Sequence, residues 1–229
     1  FAIVSSLAAA KQAADRLGYP AVLKPTRSSG ARGVRVVETA DQLPDCYVAA
    51  SALSHGPVLL DQYIEGVETS VEGAVVDGEV VVLACADKEL RSHPQRRVTR
   101  SINYPGAFTP EQRAAIRRCA GDVMRAVELD NSPFHLEVFV CGDRVIPIEC
   151  GARGGGGHIY STIVRLVSGV DLMQLAVRLT LGERSLVRSA TEPRGACYRF
   201  IFPKTGVLRS VSGVDHVLAH PGVVDLILS

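Results

Sequence analysis

Neither sign of charge is in excess in this chain: 25 lysines and arginines stand against 24 acidic residues, a formal net charge of +1. That balance gives no reason to expect a nucleic acid or an anionic membrane surface as partner. Long apolar runs are also missing. None approaches the roughly 18–20 residues a membrane span needs, and the first residues show no secretory-signal pattern. The six cysteines, at 46, 85, 119, 141, 150 and 197, include no C-x-x-C spacing. They read as reduced, semi-buried cytoplasmic residues, which excludes a disulfide frame or a zinc site. No internal repeat or low-complexity linker breaks the sequence. No methionine stands at position 1; Phe1 leads directly into a strand pattern, so an N-terminal part is expected to be missing. What is present is 229 residues, 47% apolar and 21% charged. That suffices for a sizeable core in one large domain or two small ones.

The informative stretch is FHLEVFVCGDRVIPIECGAR, residues 134–153. Two β-rich runs flank Cys-Gly-Asp-Arg, the pattern of a hairpin with a short glycine-containing loop. Side chains alternate along a strand. Leu136, Val138 and Val140 therefore share a face, as do Ile146, Ile148 and Cys150, and this apolar face is expected to be buried. His135, Glu137 and Glu149 then share the other face, and Cys141 and Cys150 fall on opposite sides. A hairpin centred near Asp143 sets Glu137 across from Glu149. Carboxylates opposed at about 5 Å repel unless a cation lies between them. Hard oxygen ligands suit Mg²⁺ or Mn²⁺, and Mg²⁺ commonly takes one or two carboxylates together with substrate phosphates. The hairpin thus reads as a metal–nucleotide platform; two carboxylates facing water on an open sheet is the alternative. His135 either orients Glu137 or is an ordinary packed or solvated histidine.

Ahead of the hairpin, Ser5-Ser6 caps an Ala-rich helix that Gly18 closes. AVLKP is a short buried strand ending near Lys24, and VRVVE is another. Between them, TRSSGARG is a Ser/Gly loop whose Ser28, Ser29, Gly30 and Gly33 can bring backbone N–H groups close to phosphate oxygens. It is neither a Walker A loop nor a Rossmann fingerprint, and an ordinary mobile hairpin tip is the alternative. TADQLPDCYVAASAL reads as a helix interrupted near Pro44. LLDQYIEG is a strand running into an extended connector, Gln62-Tyr63-Ile64. Its backbone groups suit a purine ring, and Glu68 beyond it suits ribose hydroxyls. Asp61, Glu65 and Glu68 read equally as solvated loop charges. Asp77-Gly78 marks a hairpin. Residues 88–106 form a polar segment read as a solvated loop, with a cover over an anionic centre as the alternative. Thr109-Pro110-Glu111-Gln112 opens a helix whose core face is Ile116, Ala120, Val123 and Val127. The four glycines at 154–157 imply close approach to the backbone. Two glycine-closed helices follow, and from Arg194 the pattern becomes short strands: CYRFIFP, GVLRSVSG and HPGVVDLILS.

In this order the pieces resemble the ATP-grasp superfamily of carboxylate–amine ligases. The resemblance spans GYPAVLKP, LLDQYIEGVETSVEG, FHLEVFV, PIECGARGGGG and VSGVDLMQLAVRLTLGE. The tail FIFPKTGVLRSVSGVDHVLAHPGVVDLIL resembles the C-terminal region of the L-amino-acid ligase branch. The resemblance implies an α+β ATP-grasp fold with the nucleotide between two subdomains, residues 1–65 and 66–190. A small β-rich appendage, residues 191–229, would follow.

By the same resemblance, Lys24 contacts the phosphates and the 28–33 loop folds over them. Asp61 with Gln62, Tyr63 and Ile64 frames adenine, and Glu68 holds the ribose. Glu137 and Glu149 ligate Mg²⁺ or Mn²⁺, Arg153 stabilises the transferring phosphoryl group, and Lys88 is a second phosphate lysine. Gly151 stands where many relatives carry an asparagine ligand, and the family's N-terminal domain supplies part of the substrate pocket. The implied reaction makes an acyl phosphate from ATP and a small-molecule carboxylate, which an amine then converts to an amide. Amino acids are the expected substrates, the location is cytoplasmic, and a homodimer is compatible. The alternatives are a purine-pathway ligase, a biotin-carboxylase-like enzyme, or a non-catalytic nucleotide-binding domain.

Overall fold

The computed structural model describes residues 1–91, 98–184, 187, 194–203 and 206–228. Two antiparallel sheets organise it. The smaller contains β1 (Ala2–Val4), β2 (Ala21–Pro25), β3 (Arg35–Val37) and β4 (Val58–Gln62), in the order β1-β4-β2-β3. Helices α1 (Leu7–Leu17) and α2 (Leu43–Ser54) supply the rest of its core. The Ser6 hydroxyl accepts from Ala9 N–H, and Gly18 at φ 81° ends α1, as the capping pattern requires. Ala10, Ala13 and Ala14 are buried; their small side chains let the helix lie close on Ala21, Leu23, Val58 and Leu60. Strand alternation turns Val22, Lys24, Leu59 and Asp61 to the opposite face. Pro44 does not interrupt a helix. A 3₁₀ turn at Ala40–Gln42 precedes α2, and Pro44 sits in the first turn, where a missing N–H breaks no hydrogen bond.

The larger sheet contains β5 (Val67–Val76), β6 (Glu79–Arg91), β7 (Val98–Tyr104), β8 (Ser132–Cys141), β9 (Arg144–Gly151) and β10 (Ala196–Arg199). Their order is β10-β7-β6-β5-β8-β9. Helix α3 (Pro110–Ala126) covers one face, its start fixed by a capping box between Thr109 and Gln112. On the other face a π turn at Ile159–Ile163 leads into α4 (Val164–Ser168), and α5 (Leu172–Thr180) follows. Among the described residues, no helix is long and apolar enough to cross a membrane.

Four local expectations are corrected. Residues 88–91 and 98–104 are paired strand, because Lys88 and Glu89 align with Ile102 and Ser101. Residues 92–97, the remainder of the expected solvated loop and of its alternative as a cover, lie outside the described residues. Met124, not Val127, completes the buried stripe of α3; Val127 is the C-cap and 55% exposed. In the β8–β9 hairpin a register shift follows the Glu137–Glu149 pair, so Val138 faces Pro147 and Phe139 faces Ile146. The extra residue flips the strand: Val145 and Pro147 share the α3 side, and Ile146 moves to the glutamate side. The tail carries one described strand, β10, then a short helix α6 (Val214–Leu218), instead of a series of strands. Pro203 lacks a donor, and Gly213 and Gly222 at φ 80° and 91° break the apolar run into turns.

The cysteines are free as expected, although Cys150 and Cys197 are exposed rather than semi-buried. Phe134 is fully buried in the α3 core. Phe134→Ala is expected to lower unfolding free energy by about 3–5 kcal/mol, as a reduced denaturation midpoint at unchanged slope.

Candidate functional site

The register of β5, β6, β8 and β9 gathers Glu68, Glu72, Lys88, His135, Glu137 and Glu149 on the sheet face opposite α3. Ser70 pairs with Glu137 and Glu72 with His135 across β5–β8, and Glu137 pairs with Glu149 across β8–β9. The cross-strand opposition read from the hairpin pattern is therefore present. Glu68 on β5 and Lys88 on β6 lie on the same face.

Lys88 is almost completely buried and donates to Glu68 Oε1 at 2.9 Å and to Glu137 Oε1. Burial disfavours its ammonium charge, but Glu137 and Glu68 outweigh that and raise its pKa. Burial likewise opposes the Glu137 carboxylate, yet His135 and Lys88 bring it down to about 2. His135 has its Nδ1 2.5 Å from Glu72 Oε1 and its Nε2 3.4 Å from Glu137 Oε1. Burial works against the imidazolium, but hydrogen bonds to Glu137 and Glu72 lift its pKa to about 9.

The residues assigned to phosphate and adenine lie on the smaller sheet. Lys24 Nζ donates to Asp61 Oδ2 at 2.7 Å, both side chains about a quarter exposed. Tyr63 N–H donates to Pro20 O at 3.3 Å, so that donor of the connector is engaged by the chain itself. In the 28–33 loop, Ser28, Ser29 and Gly30 are exposed, and Arg32 binds the Ser29 carbonyl and hydroxyl at 3.2 and 3.3 Å. Gly33 has φ 80° and a Cβ there would lie 2.8 Å from the Pro25 ring, which favours glycine, whereas Gly30 faces open space.

Arg153 donates to Gly154 O at 2.9 Å, and its guanidinium is 3.8 Å from Glu149. That pair is more than half exposed on both sides, so it holds Arg153 weakly. A Cβ at Gly151 would meet the Arg153 stem in ordinary contact, 3.4 Å from Cγ.

Glu72 was not singled out by its sequence. It is fully buried, accepting from Ser70 Oγ at 3.0 Å, His135 Nδ1 and Gly155 N at 2.9 Å. Its strand, VETSVEGAVV, is polar from Glu68 through Ser70, so alternation did not set Glu72 apart from its neighbours.

Among the described residues no group of three or more His, Cys, Asp or Glu side chains could hold a metal. Two opposed carboxylates fit an Mg²⁺ ion whose remaining ligands are phosphate oxygens and waters, and do not make a self-sufficient protein cage.

A family model described as the ATP-grasp domain matches residues 17–162. An uncharacterised protein of Sinorhizobium fredii is 28% identical over 222 residues, covering 93% of this chain and 44% of that protein. The crystal structure of an L-amino acid ligase from Bacillus licheniformis superposes with a TM-score of 0.77 at 26% identity, over 90% of this chain and 52% of that one. The biotin carboxylase domain of the Hydrogenobacter thermophilus 2-oxoglutarate carboxylase, solved with MgADP and bicarbonate, has a TM-score of 0.68. At 23% identity over 82% of this chain and 42% of that one, it shows the fold alone. The chain thus spans about half the length of these relatives or less.

The His135 network sets a pH dependence in metal-free protein. Its raised folded pKa means that its stabilisation is complete below the unfolded value near 6.5 and lost as pH climbs through about 9. Stability should fall over that window with a slope of at most about 1.4 kcal/mol per pH unit. His135→Gln should flatten the slope in denaturation series run with chelator.

Proposed function

Because the chain belongs to the ATP-grasp domain family, we propose that it is the nucleotide-binding part of an ATP-dependent ligase joining a carboxylate to an amine, with amino acids as substrates. The observation that carries this reading is the Glu137–Glu149 pair on one sheet face, followed on the same chain by Arg153 and four glycines. The likeness to an L-amino acid ligase over 90% of the chain favours amide formation over the other reactions known for this fold.

In this reading ATP lies between residues 1–65 and 66–190. The Gln62–Ile64 connector with Asp61 supports adenine, and Glu68 the ribose. Lys24, whose ammonium is partly exposed, exchanges its bond to Asp61 for a phosphate oxygen. Ser28, Ser29 and Gly30 are free of packing demands and close over the phosphates. Glu137 and Glu149 hold Mg²⁺, which when bound offsets phosphate charge and activates the γ-phosphoryl group for attack by a carboxylate. Lys88 is already matched to two carboxylates, so it acts by holding Glu68 and Glu137 in place more than by reaching phosphate. Arg153 is exposed and only loosely paired, free to present its planar fork to the transferring phosphoryl group or the acyl phosphate. Bringing these groups together is most of the catalysis.

The test is ADP release by the full natural chain with mixed amino acids. Glu137→Gln or Glu149→Gln should abolish metal-dependent turnover while the protein stays folded. Arg153→Lys should lower kcat at least about tenfold, or about 1.4 kcal/mol, with ATP affinity little changed. Native kcat in folded Arg153→Lys removes Arg153 from the mechanism, and turnover by either glutamine variant removes the metal platform.

Hydrogen exchange across residues 28–33 should slow on adding an ATP analogue with Mg²⁺. Equal protection at saturation removes the loop from phosphate binding.

A further inference from the structure

Glu72 takes no part in the ligand contacts proposed above, yet it is fully buried on a strand face where Ser70 precedes it and the apolar Ala74 and Val76 follow. A carboxylate in such a place costs several kcal/mol unless its oxygens are satisfied. An apolar residue would make that stretch of core at lower cost, so the charge is kept for what it holds.

Its partners lie in two directions. Oε1 accepts from Ser70 Oγ at 3.0 Å and meets His135 Nδ1 at 2.5 Å; the other ring nitrogen of His135 stands 3.4 Å from Glu137 Oε1. Oε2 accepts from the Gly155 amide at 2.9 Å. The preceding carbonyl, Gly154 O, is the acceptor for Arg153. The backbone can come this close only without side chains: a Cβ on Gly155 would be 2.5 Å from Glu72 Oε1, and one on Gly154 would be 1.6 Å from the Tyr160 ring. A single carboxylate therefore ties a strand of one sheet layer to the glycine segment that follows Arg153.

We propose that Glu72 is a positioning residue: through His135 it orients the Glu137 carboxylate, and through the Gly155 amide it fixes the Arg153–Gly157 backbone at a set distance from that carboxylate. The proposal rests on the nucleotide reading above for the use it assigns to Glu137 and Arg153. It differs from that reading in assigning Gly154 and Gly155 to Tyr160 and Glu72, so that the close approach at the first half of the glycine run is made by the protein itself, while Gly156 faces open space. Groups behind metal ligands commonly change metal affinity by about 10–100-fold when removed.

Two variants test it in the full natural chain. Glu72→Gln retains an acceptor for the Gly155 amide but loses the charge opposite His135, while Glu72→Ala loses both. Without nucleotide, the Gly155 amide resonance should move upfield in both variants, and its hydrogen exchange should quicken more in Glu72→Ala than in Glu72→Gln. Binding of AMP-PNP is then measured with and without Mg²⁺. Metal-free affinity should match the parent protein, and the extra affinity that Mg²⁺ confers should fall about tenfold or more. Parent-like Mg²⁺ enhancement in both variants overturns the proposal. So does equal loss of affinity with and without metal, which makes Glu72 a folding residue alone. If the parent protein binds no AMP-PNP under either condition, the nucleotide reading fails. The Gly155 exchange comparison then decides the anchoring by itself, and unchanged exchange in Glu72→Ala sinks it.

Discussion

The register of β8 against its two neighbours is the constraint on which the rest of the site depends. In one alignment it pairs Glu72 with His135, Ser70 with Glu137, and Glu137 with Glu149. A slip of one residue would turn Leu136 and Val138 outward and bury the acids against α3, a loss no core of this kind tolerates. The apolar face thus specifies the polar one. Leu136, Val138 and Phe134 are fully buried against α3, and their burial holds three carboxylates and a histidine in line on the opposite side. The shift after Glu137 lets β9 leave this alignment immediately, carrying Ile146 to the acidic face while pairing continues to Cys141 and Arg144.

Charge on that face is balanced over short distances. Lys88 sits between Glu68 and Glu137, and His135 between Glu137 and Glu72. Each cation serves two acids, which is why Glu137 stays ionised, its pKa down to about 2 despite burial. At the rim the pairing is loose, with Arg153 and Glu149 3.8 Å apart and largely in water. The gradient from tight buried pairs to loose exposed ones suits a site that must keep its base fixed while its outer groups exchange protein partners for a ligand. Lys24 and Asp61 on the smaller sheet follow the same pattern, partly exposed and paired with each other.

Much of this was readable in the residues. Ser6, Gly18, Thr109 and Gln112 mark helix ends by hydrogen bonds confined to a few neighbouring residues, so a linear pattern suffices. The Glu137–Glu149 pairing follows from loop length and strand alternation, both local to one hairpin. Pro44 misled because its effect depends on which turn it occupies, and the preceding 3₁₀ turn decided that. Lys88 and Glu89 looked like loop charges because their strand partners lie across a hairpin whose sequence is polar, and polarity carries no period.

What the sequence by itself determined is the set of short-range elements, the opposed carboxylates, and the family to which their order belongs. What only the tertiary structure decided is how those elements use one another. A register shift between Glu137 and Val138 placed Ile146 on the acidic face, and the packing of Tyr160 and Glu72 requires glycine at 154 and 155. Glu72 itself became visible only when residues 63 and 83 positions away came within hydrogen-bond distance. Alternation and capping act over a few residues and leave a linear trace. A buried carboxylate chooses its partners by position in the folded sheet, and that has no trace in the chain's order.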